Sequence, residues 1–64
     1  MNLCKLYREN AGRKIKVHMI DGEIFIGVFE GYVSALDNEP ERESILVDNT
    51  ELYTDEIGHV DILA

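Results

Sequence analysis

The sequence predicts a small, mainly β domain in which a short N-terminal helix precedes a five-stranded, strongly bent barrel. Three observations support this prediction: the chain has only 64 residues, an alternation of apolar and polar side chains begins after Arg13, and glycines interrupt the most apolar strand. A chain of this length has room for one domain, spanning residues 1–64. Such domains bury roughly 60% of their unfolded surface and usually need a disulfide, a metal or association with other copies.

Cysteine content and hydropathy indicate a cytoplasmic protein with no membrane segment. Cys4 is the only cysteine, which excludes a disulfide within the chain and suits a reducing compartment. The N-terminus lacks the basic region and apolar run of a secretory signal. The longest apolar stretch, Ile24–Phe29, is too short to cross a bilayer.

Charge is distributed unevenly along the chain, whose net charge is −7. Residues 1–32 carry five basic and four acidic side chains, whereas residues 33–64 carry one basic and nine acidic side chains. An acidic surface repels phosphate backbones. The composition therefore disfavours general nucleic-acid binding and leaves only a local basic patch for that role.

The helix is predicted over residues 2–11, because Leu3, Leu6 and Tyr7 recur at helical spacing. Asn2 can cap the first turn, and Gly12 can end the helix in the left-handed conformation. So short a helix is marginal in isolation, and we therefore expect its apolar stripe to pack on the barrel.

The first two strands are expected to form a hairpin. Apolar and polar residues alternate over residues 14–19, and Asp21-Gly22 then favours a two-residue type I′ turn, with the second strand beginning at Glu23. This register places six apolar side chains on one buried face. They are Ile15, Val17, Met19, Ile24, Ile26 and Val28.

Glycines and turn residues place the remaining elements. Gly27 and Gly31 lie in a strand that is apolar on both faces, and we expect them to bend it so that it serves two sheets and closes a barrel. A polar loop is predicted over Ser34–Arg42, and a single helical turn over residues 54–56, with Thr54 as its cap. The last three strands are predicted at Glu43–Asp48, Glu51–Tyr53 and Gly58–Leu63, with a turn at Asp48-Asn49 and with Ile45, Val47, Val60 and Ile62 pointing inward.

The motif Asp21-Gly22-x-x-x-x-Gly27, in this order of elements, resembles the Sm and Sm-like family, and in particular a divergent bacterial-type member of it. Tyr32 lies at the position of a usual aromatic residue, and residues 52–57 lie where the second family motif begins. The resemblance covers nearly the whole chain and implies an SH3-like, Sm-like barrel. It also implies a homo-oligomer, because in this family the fourth strand of one subunit pairs with the fifth strand of the next.

The RNA-binding positions of the family differ here. Val33 and Asp37 stand where the family has an aspartate and an asparagine, although Asn38 is adjacent to the second position. Tyr53 and Thr54 stand where the family has an arginine and a glycine. The resemblance therefore implies the fold without the uridine pocket, and a shared fold does not by itself transfer a function.

Two groups of side chains are candidate binding sites. Basic residues at the helix–strand corner can contact RNA or another anion, unless they pair with the acidic second half. These residues are Arg8, Arg13, Lys14 and Lys16. Aromatic residues can form a partner surface if they are exposed, or can belong to the core beneath the helix. These residues are Phe25, Phe29, Tyr32 and Tyr53.

Other chemistry is disfavoured. The acidic loop lacks the glycine and terminal glutamate of an EF-hand, so we expect it to be solvated. Its polar residues are Asp37, Asn38, Glu39, Glu41 and Glu43. A zinc site needs three or four ligands, and the positions of His18, His59 and Cys4 in the sequence do not indicate one. With no nucleophile and base at a diagnostic spacing and no phosphate-binding loop, the chain is predicted to be non-enzymatic and to use no cofactor.

The sequence leaves three functions open. The favoured one is a binding and assembly module that self-associates and contacts an unknown protein partner through aromatic and acidic residues. The second is a divergent RNA-binding protein that uses the basic helix–strand corner. The third is an acidic inhibitor that mimics nucleic acid.

Overall fold

The computed structural model describes residues 2–34 and 42–64. These residues form one short helix, five strands and a 3₁₀ turn. The elements are α1 (Leu3–Asn10), β1 (Lys14–Met19), β2 (Ile24–Val33), β3 (Ser44–Val47), β4 (Thr50–Tyr53), the 3₁₀ turn (Thr54–Glu56) and β5 (Ile57–Ile62). Most of the predicted loop Ser34–Arg42 lies outside the described residues.

The mainly β architecture is confirmed. All five strands belong to one antiparallel sheet with the order β4-β3-β2-β1-β5, so β4 and β5 lie at its two edges and the sheet is not closed. β2 pairs with β1 along Ile24–Val28 and with β3 along Phe29–Val33. One strand therefore serves both halves of the sheet, as its two apolar faces predicted.

Of the two glycines expected to bend β2, Gly31 lies at an irregularity of the strand pairing and Gly27 does not. The pairing with β3 shifts register between Phe29 and Gly31, and β2 continues without a register shift past Gly27. Gly27 has another role: a Cβ atom at this position would lie 2.3 Å from the Oδ2 atom of Asp48. The glycine is required for close approach of a side chain, which is a common reason for glycine inside a strand.

The predicted hairpin register is wrong by one residue. Val17 pairs with Phe25 and Ile15 pairs with Gly27. The connection is a three-residue loop, because the Met19 amide donates to the Glu23 carbonyl and the Gly22 amide donates to the Met19 carbonyl. Gly22 has a φ angle of 97°, and Asp21 is not among the residues with positive φ. This arrangement is the type I turn with a glycine bulge that three-residue hairpins adopt, rather than type I′.

A shift of one residue exchanges the two faces of β2. Ile15 and Val17 are fully buried as predicted, and β2 meets them with Phe25, Gly27 and Phe29. Met19, also predicted, is half-buried and packs against the core. The other three members of the predicted core set instead lie on the outer face of the sheet. They are Ile24 (51% exposed), Ile26 (52% exposed) and Val28 (38% exposed).

The helix closes one end of the core. The Asn2 side chain caps it by accepting a hydrogen bond of 3.0 Å from the Lys5 amide, as predicted. Leu3 is buried, and the ring of Tyr7 packs edge-on against Phe29 at a centroid distance of 5.0 Å. The predicted packing of the helix on the sheet is therefore confirmed.

The second half of the chain follows the prediction closely. Ile45 and Val47 are buried, and the turn between β3 and β4 lies at Asp48-Asn49. The 3₁₀ turn forms at residues 54–56, but its cap position is Tyr53 and no side chain caps it, so the prediction for Thr54 is wrong. Val60 packs against the core, whereas Ile62 stays 37% exposed. None of the described residues forms a helix long and apolar enough to span a membrane.

Candidate functional site

A cavity of about 410 Å³ lies where the β1–β2 hairpin meets the second half of the sheet. It is lined by Met19, Ile20, Asp21, Glu23, Phe25, Leu52 and Glu56. We call it the hairpin cavity. Helix α1 packs on β2 near Phe29, whereas the start of β2 lines this cavity, so the cavity lies at the part of the core that the helix leaves uncovered.

The hairpin register positions the apolar part of the cavity. Met19 and Phe25 follow the inward alternation of their strands and pack against the core while remaining half-buried. Leu52 is paired with Ile45 and approaches from the opposite half of the sheet. The Ile20 amide donates to the Glu56 carbonyl at 2.9 Å, which ties the hairpin loop to the 3₁₀ turn. The cavity is thus built by elements that are held to each other by hydrogen bonds.

The mouth of the hairpin cavity is acidic. Asp21, Glu23 and Glu56 are all exposed. Oδ1 of Asp21 accepts a hydrogen bond of 3.0 Å from the Glu23 amide. Among the described residues, Glu56 has one weak cationic neighbour, Arg42 at 3.8 Å, and neither Asp21 nor Glu23 takes part in an ion pair. Three carboxylates around an apolar floor make a site suited to a cation with an apolar stem.

The predicted aromatic set is dispersed. Phe29 is fully buried in the core beneath the helix, which is the alternative that the sequence left open for it. Phe25 lines the hairpin cavity. Tyr32 and Tyr53 are half-buried on β2 and β4, on either side of β3. The four side chains therefore do not form one continuous surface.

Tyr32 and Tyr53 each interact with a charged residue. The Tyr32 hydroxyl donates to the Glu43 carboxylate. This hydrogen bond, together with burial and the Glu43 charge, raises the pKa of Tyr32 to about 12. The Arg42 guanidinium lies 4.3 Å from the ring centroid of Tyr53, and its hydrogen bond to Asp55 raises the Arg42 pKa. Both contacts link neighbouring elements, and we interpret them as structural.

The predicted basic residues lie on exposed or half-exposed surface. Lys14 and Lys16 project from the outer face of β1, beside the exposed aliphatic row of β2. Arg8 lies on the helix, where its Nη2 atom is 3.4 Å from the Cys4 sulfur, and Arg13 lies between helix and strand. None of the ion pairs within residues 2–34 and 42–64 involves these four residues. The RNA-binding role suggested for them stays a prediction.

The two histidines meet at one carboxylate, which the sequence did not indicate. His18 and His59 are paired across β1 and β5, with ring centroids 5.4 Å apart. Their Nε2 atoms lie 3.0 Å and 2.6 Å from the two carboxylate oxygens of Asp61. The hydrogen bonds from His59 and His18 lower the Asp61 pKa. Within the described residues, no group of three or more ligating side chains is arranged to hold a metal ion.

Several predicted positions fall outside the described residues. These are Asp37, Asn38, Glu39 and Glu41 of the acidic loop. Val33 is the last residue of β2. It stands at the first position where this sequence differs from the RNA-binding residues of the Sm family.

Of the residues that line the hairpin cavity, the sequence indicated only Phe25 as a candidate binding residue. The signal for the others was weak: Asp21 and Glu23 flank the hairpin glycine, but nothing in the sequence indicated that β4 and the 3₁₀ turn would face them. Leu52 and Glu56 reach the cavity through strand order, which local patterns do not contain.

Comparison of the chain with protein-family models, with curated proteins and with solved structures gives no significant match.

Proposed function

We propose that this chain is a non-enzymatic binding and assembly module, an Sm-like barrel that self-associates through its edge strands and contacts a protein partner. The carrying observation is the strand order, which leaves β4 and β5 at opposite edges of one unclosed sheet. An edge strand presents unpaired backbone donors and acceptors to any strand that can reach them.

The hydrogen-bond alternation identifies which backbone groups are available. The Leu63 amide donates to the Lys14 carbonyl, so the β5 residues two and four positions earlier, Asp61 and His59, also face β1. Val60, which lies between them, directs its amide away from β1. On β4, the Thr54 amide donates to the Glu43 carbonyl, so Tyr53 and Glu51 direct their backbone groups outward. Both edges can therefore receive a strand.

Pairing of β4 from one copy with β5 from the next supports a ring or a short array of copies. Such contacts would also cover aliphatic surface near the end of β5, where Ile62 is 37% exposed and Leu63 is 48% exposed. Association of copies supplies the additional stabilisation that a domain of 64 residues with a single cysteine lacks.

The decisive test compares Val60→Pro with Val60→Ala. Proline removes the outward amide of β5 without removing a hydrogen bond to β1, and proline is tolerated on edge strands for this reason. Alanine removes the same side chain but keeps the amide. We expect light scattering at several concentrations to give a mass above that of the 7.3 kDa chain for the wild type and the alanine variant, and the monomer mass for the proline variant.

As a control, circular dichroism tests whether the proline variant keeps its sheet. A wild-type chain that remains monomeric up to millimolar concentration would contradict the proposed assembly. Equal masses for the folded proline and alanine variants would show that the β5 edge is not the contact.

A further inference from the structure

We propose that the hairpin cavity binds the side chain of a lysine or arginine carried by an extended segment of a protein partner. This inference deepens the proposed binding function by naming the chemistry of the partner. It rests on the binding role and does not depend on the proposed self-association.

The floor of the hairpin cavity fits an aliphatic stem. Met19 and Phe25 come from the hairpin and Leu52 from β4, and all three contribute apolar surface. Lysine and arginine side chains pack their methylene groups along such surface while the charged end stays near water. Phe25 also contributes an aromatic ring to the lining, and cations are attracted to aromatic rings.

The mouth selects for positive charge. Asp21, Glu23 and Glu56 surround the cavity, and the first two have no cationic partner among the described residues. A concave site with one sign of charge concentrates the opposite charge and repels its own. The same carboxylates disfavour a phosphate or a carboxylate as the occupant.

The strand beside the cavity can hold the backbone of the incoming segment. Met19 and Glu23 form a backbone hydrogen bond, so odd-numbered β2 residues face β1, and Ile24 and Ile26 direct their backbone groups to the other side. On that side the pairing with β3 begins only at Phe29, and Asp48 bonds Val28, so within the described chain Ile24 and Ile26 border no second strand.

Addition of a strand to this edge fixes the sequence pattern of the partner. Side chains of an added strand alternate between the two faces of the sheet. A residue on the inner face points to the hairpin cavity, whereas its neighbours on the outer face meet the exposed Ile24 and Ile26 side chains. The expected segment is therefore extended and carries one basic residue between two apolar residues.

The test is an NMR titration of the full chain with two blocked pentapeptides, acetyl-Thr-Val-Arg-Val-Thr-amide and the same peptide with glutamine in place of arginine. We expect saturable shifts of the Met19 and Leu52 methyl groups and of the Ile24 and Ile26 amides with the arginine peptide. We expect the glutamine peptide to bind about tenfold more weakly, and high salt to reduce this difference.

A matched pair of charge variants locates the site. Glu23→Gln removes a carboxylate at the cavity, just before β2, whereas Glu30→Gln removes an exposed carboxylate of β2 that does not line the cavity. We expect Glu23→Gln to weaken binding of the arginine peptide about two- to fivefold, the range for one exposed charge pair, and Glu30→Gln to leave it unchanged.

Equal binding of the two peptides, or equal effects of the two variants, would overturn the inference. Light scattering on the same samples reports self-association separately. Arginine-selective binding by a monomeric chain would support this inference and contradict the assembly. An assembled chain without such selectivity would support the assembly and contradict this inference.

Discussion

At the residue scale, Gly27 and Asp48 depend on each other. Asp48 follows β3 with a φ angle of 52°, a left-handed conformation that aspartate tolerates better than most residues. Its amide donates to the Val28 carbonyl at 2.9 Å, and its Oδ1 atom accepts from the Val28 amide at 3.0 Å. The carboxylate therefore completes the pairing of β2 where the strand pairing to β3 ends, and it can reach that position only because Gly27 has no side chain.

We expect Gly27→Ala to destabilise the fold by about 1–3 kcal/mol, the usual cost of inserting a methyl group into a packed site. The added Cβ atom would lie 2.3 Å from Oδ2 and 2.6 Å from Cγ of Asp48, so the carboxylate would have to leave the Val28 amide. Urea denaturation of the single variant gives the change in the free energy of unfolding.

A double-mutant cycle with Asp48→Gly separates this contact from the intrinsic effect of alanine in a strand. Glycine accepts the positive φ angle at residue 48 and removes the obstructing carboxylate. We expect Gly27→Ala to cost less in the Asp48→Gly background than in the wild type. Strictly additive effects would show that the two residues do not interact as described.

At the scale of elements, the β1–β2 hairpin shows where sequence patterns lose their power. Asp-Gly fits both a two-residue turn and the last two positions of a three-residue loop. The hydrophobic pattern could not choose between them, because Ile24, Ile26 and Val28 on one face match Phe25 and Phe29 on the other. The observed register buries Phe29 against Tyr7 and leaves the smaller aliphatic residues outside.

Other elements were predictable because their signals were not degenerate. Asn2 and Gly12 bracket the helix, and Asp48-Asn49 separates two strands that each have one apolar face. The hairpin cavity was not predictable, because it requires Leu52 and Glu56 to face a hairpin about thirty residues earlier in the chain. Such placement is a property of strand order and of the register that the turn selects.

The register makes a prediction that distinguishes the two faces of the hairpin. We expect Ile26→Thr to change the free energy of unfolding by no more than about 0.5 kcal/mol, as for other exposed sites, because half of its side chain is already in water. We expect Val17→Thr to cost about 1–3 kcal/mol, because it places a hydroxyl group in the dry core. Val17 is fully buried, whereas Ile26 is 52% exposed.

Urea denaturation at low protein concentration measures both variants and limits any contribution from association through the outer face. Threonine keeps the β-branched shape in both cases, so strand propensity changes little. A large decrease in the free energy of unfolding for Ile26→Thr would contradict the observed register and support the type I′ register.

At the scale of the whole molecule, few ionic contacts hold an acidic second half in place. The ion pairs of the described residues involve only Arg42 and the two histidines on the cationic side. The hydrogen bond from Tyr32 to Glu43 joins β2 to the residue just before β3. The protonation state of the Tyr32 hydroxyl therefore affects how the two halves of the sheet are joined.

The raised pKa of Tyr32 predicts how stability changes in alkaline solution. The hydrogen bond to Glu43 raises the pKa from 10.0 to about 12 in the folded chain. The unfolded chain therefore releases the proton first, and the stabilisation, which is fully present below pH 10, is lost as the pH rises through about 12.

We expect the urea midpoint of the wild type to fall across this window more steeply than that of Tyr32→Phe, which has no proton to release. Glu43→Gln removes the carboxylate that opposes ionisation, and we expect it to make the alkaline decline shallower as well. The difference between each variant and the wild type, measured at several pH values from 8 to 12, isolates the contribution of Tyr32 to the alkaline loss of stability. Parallel declines for all three proteins would contradict the role of this hydrogen bond.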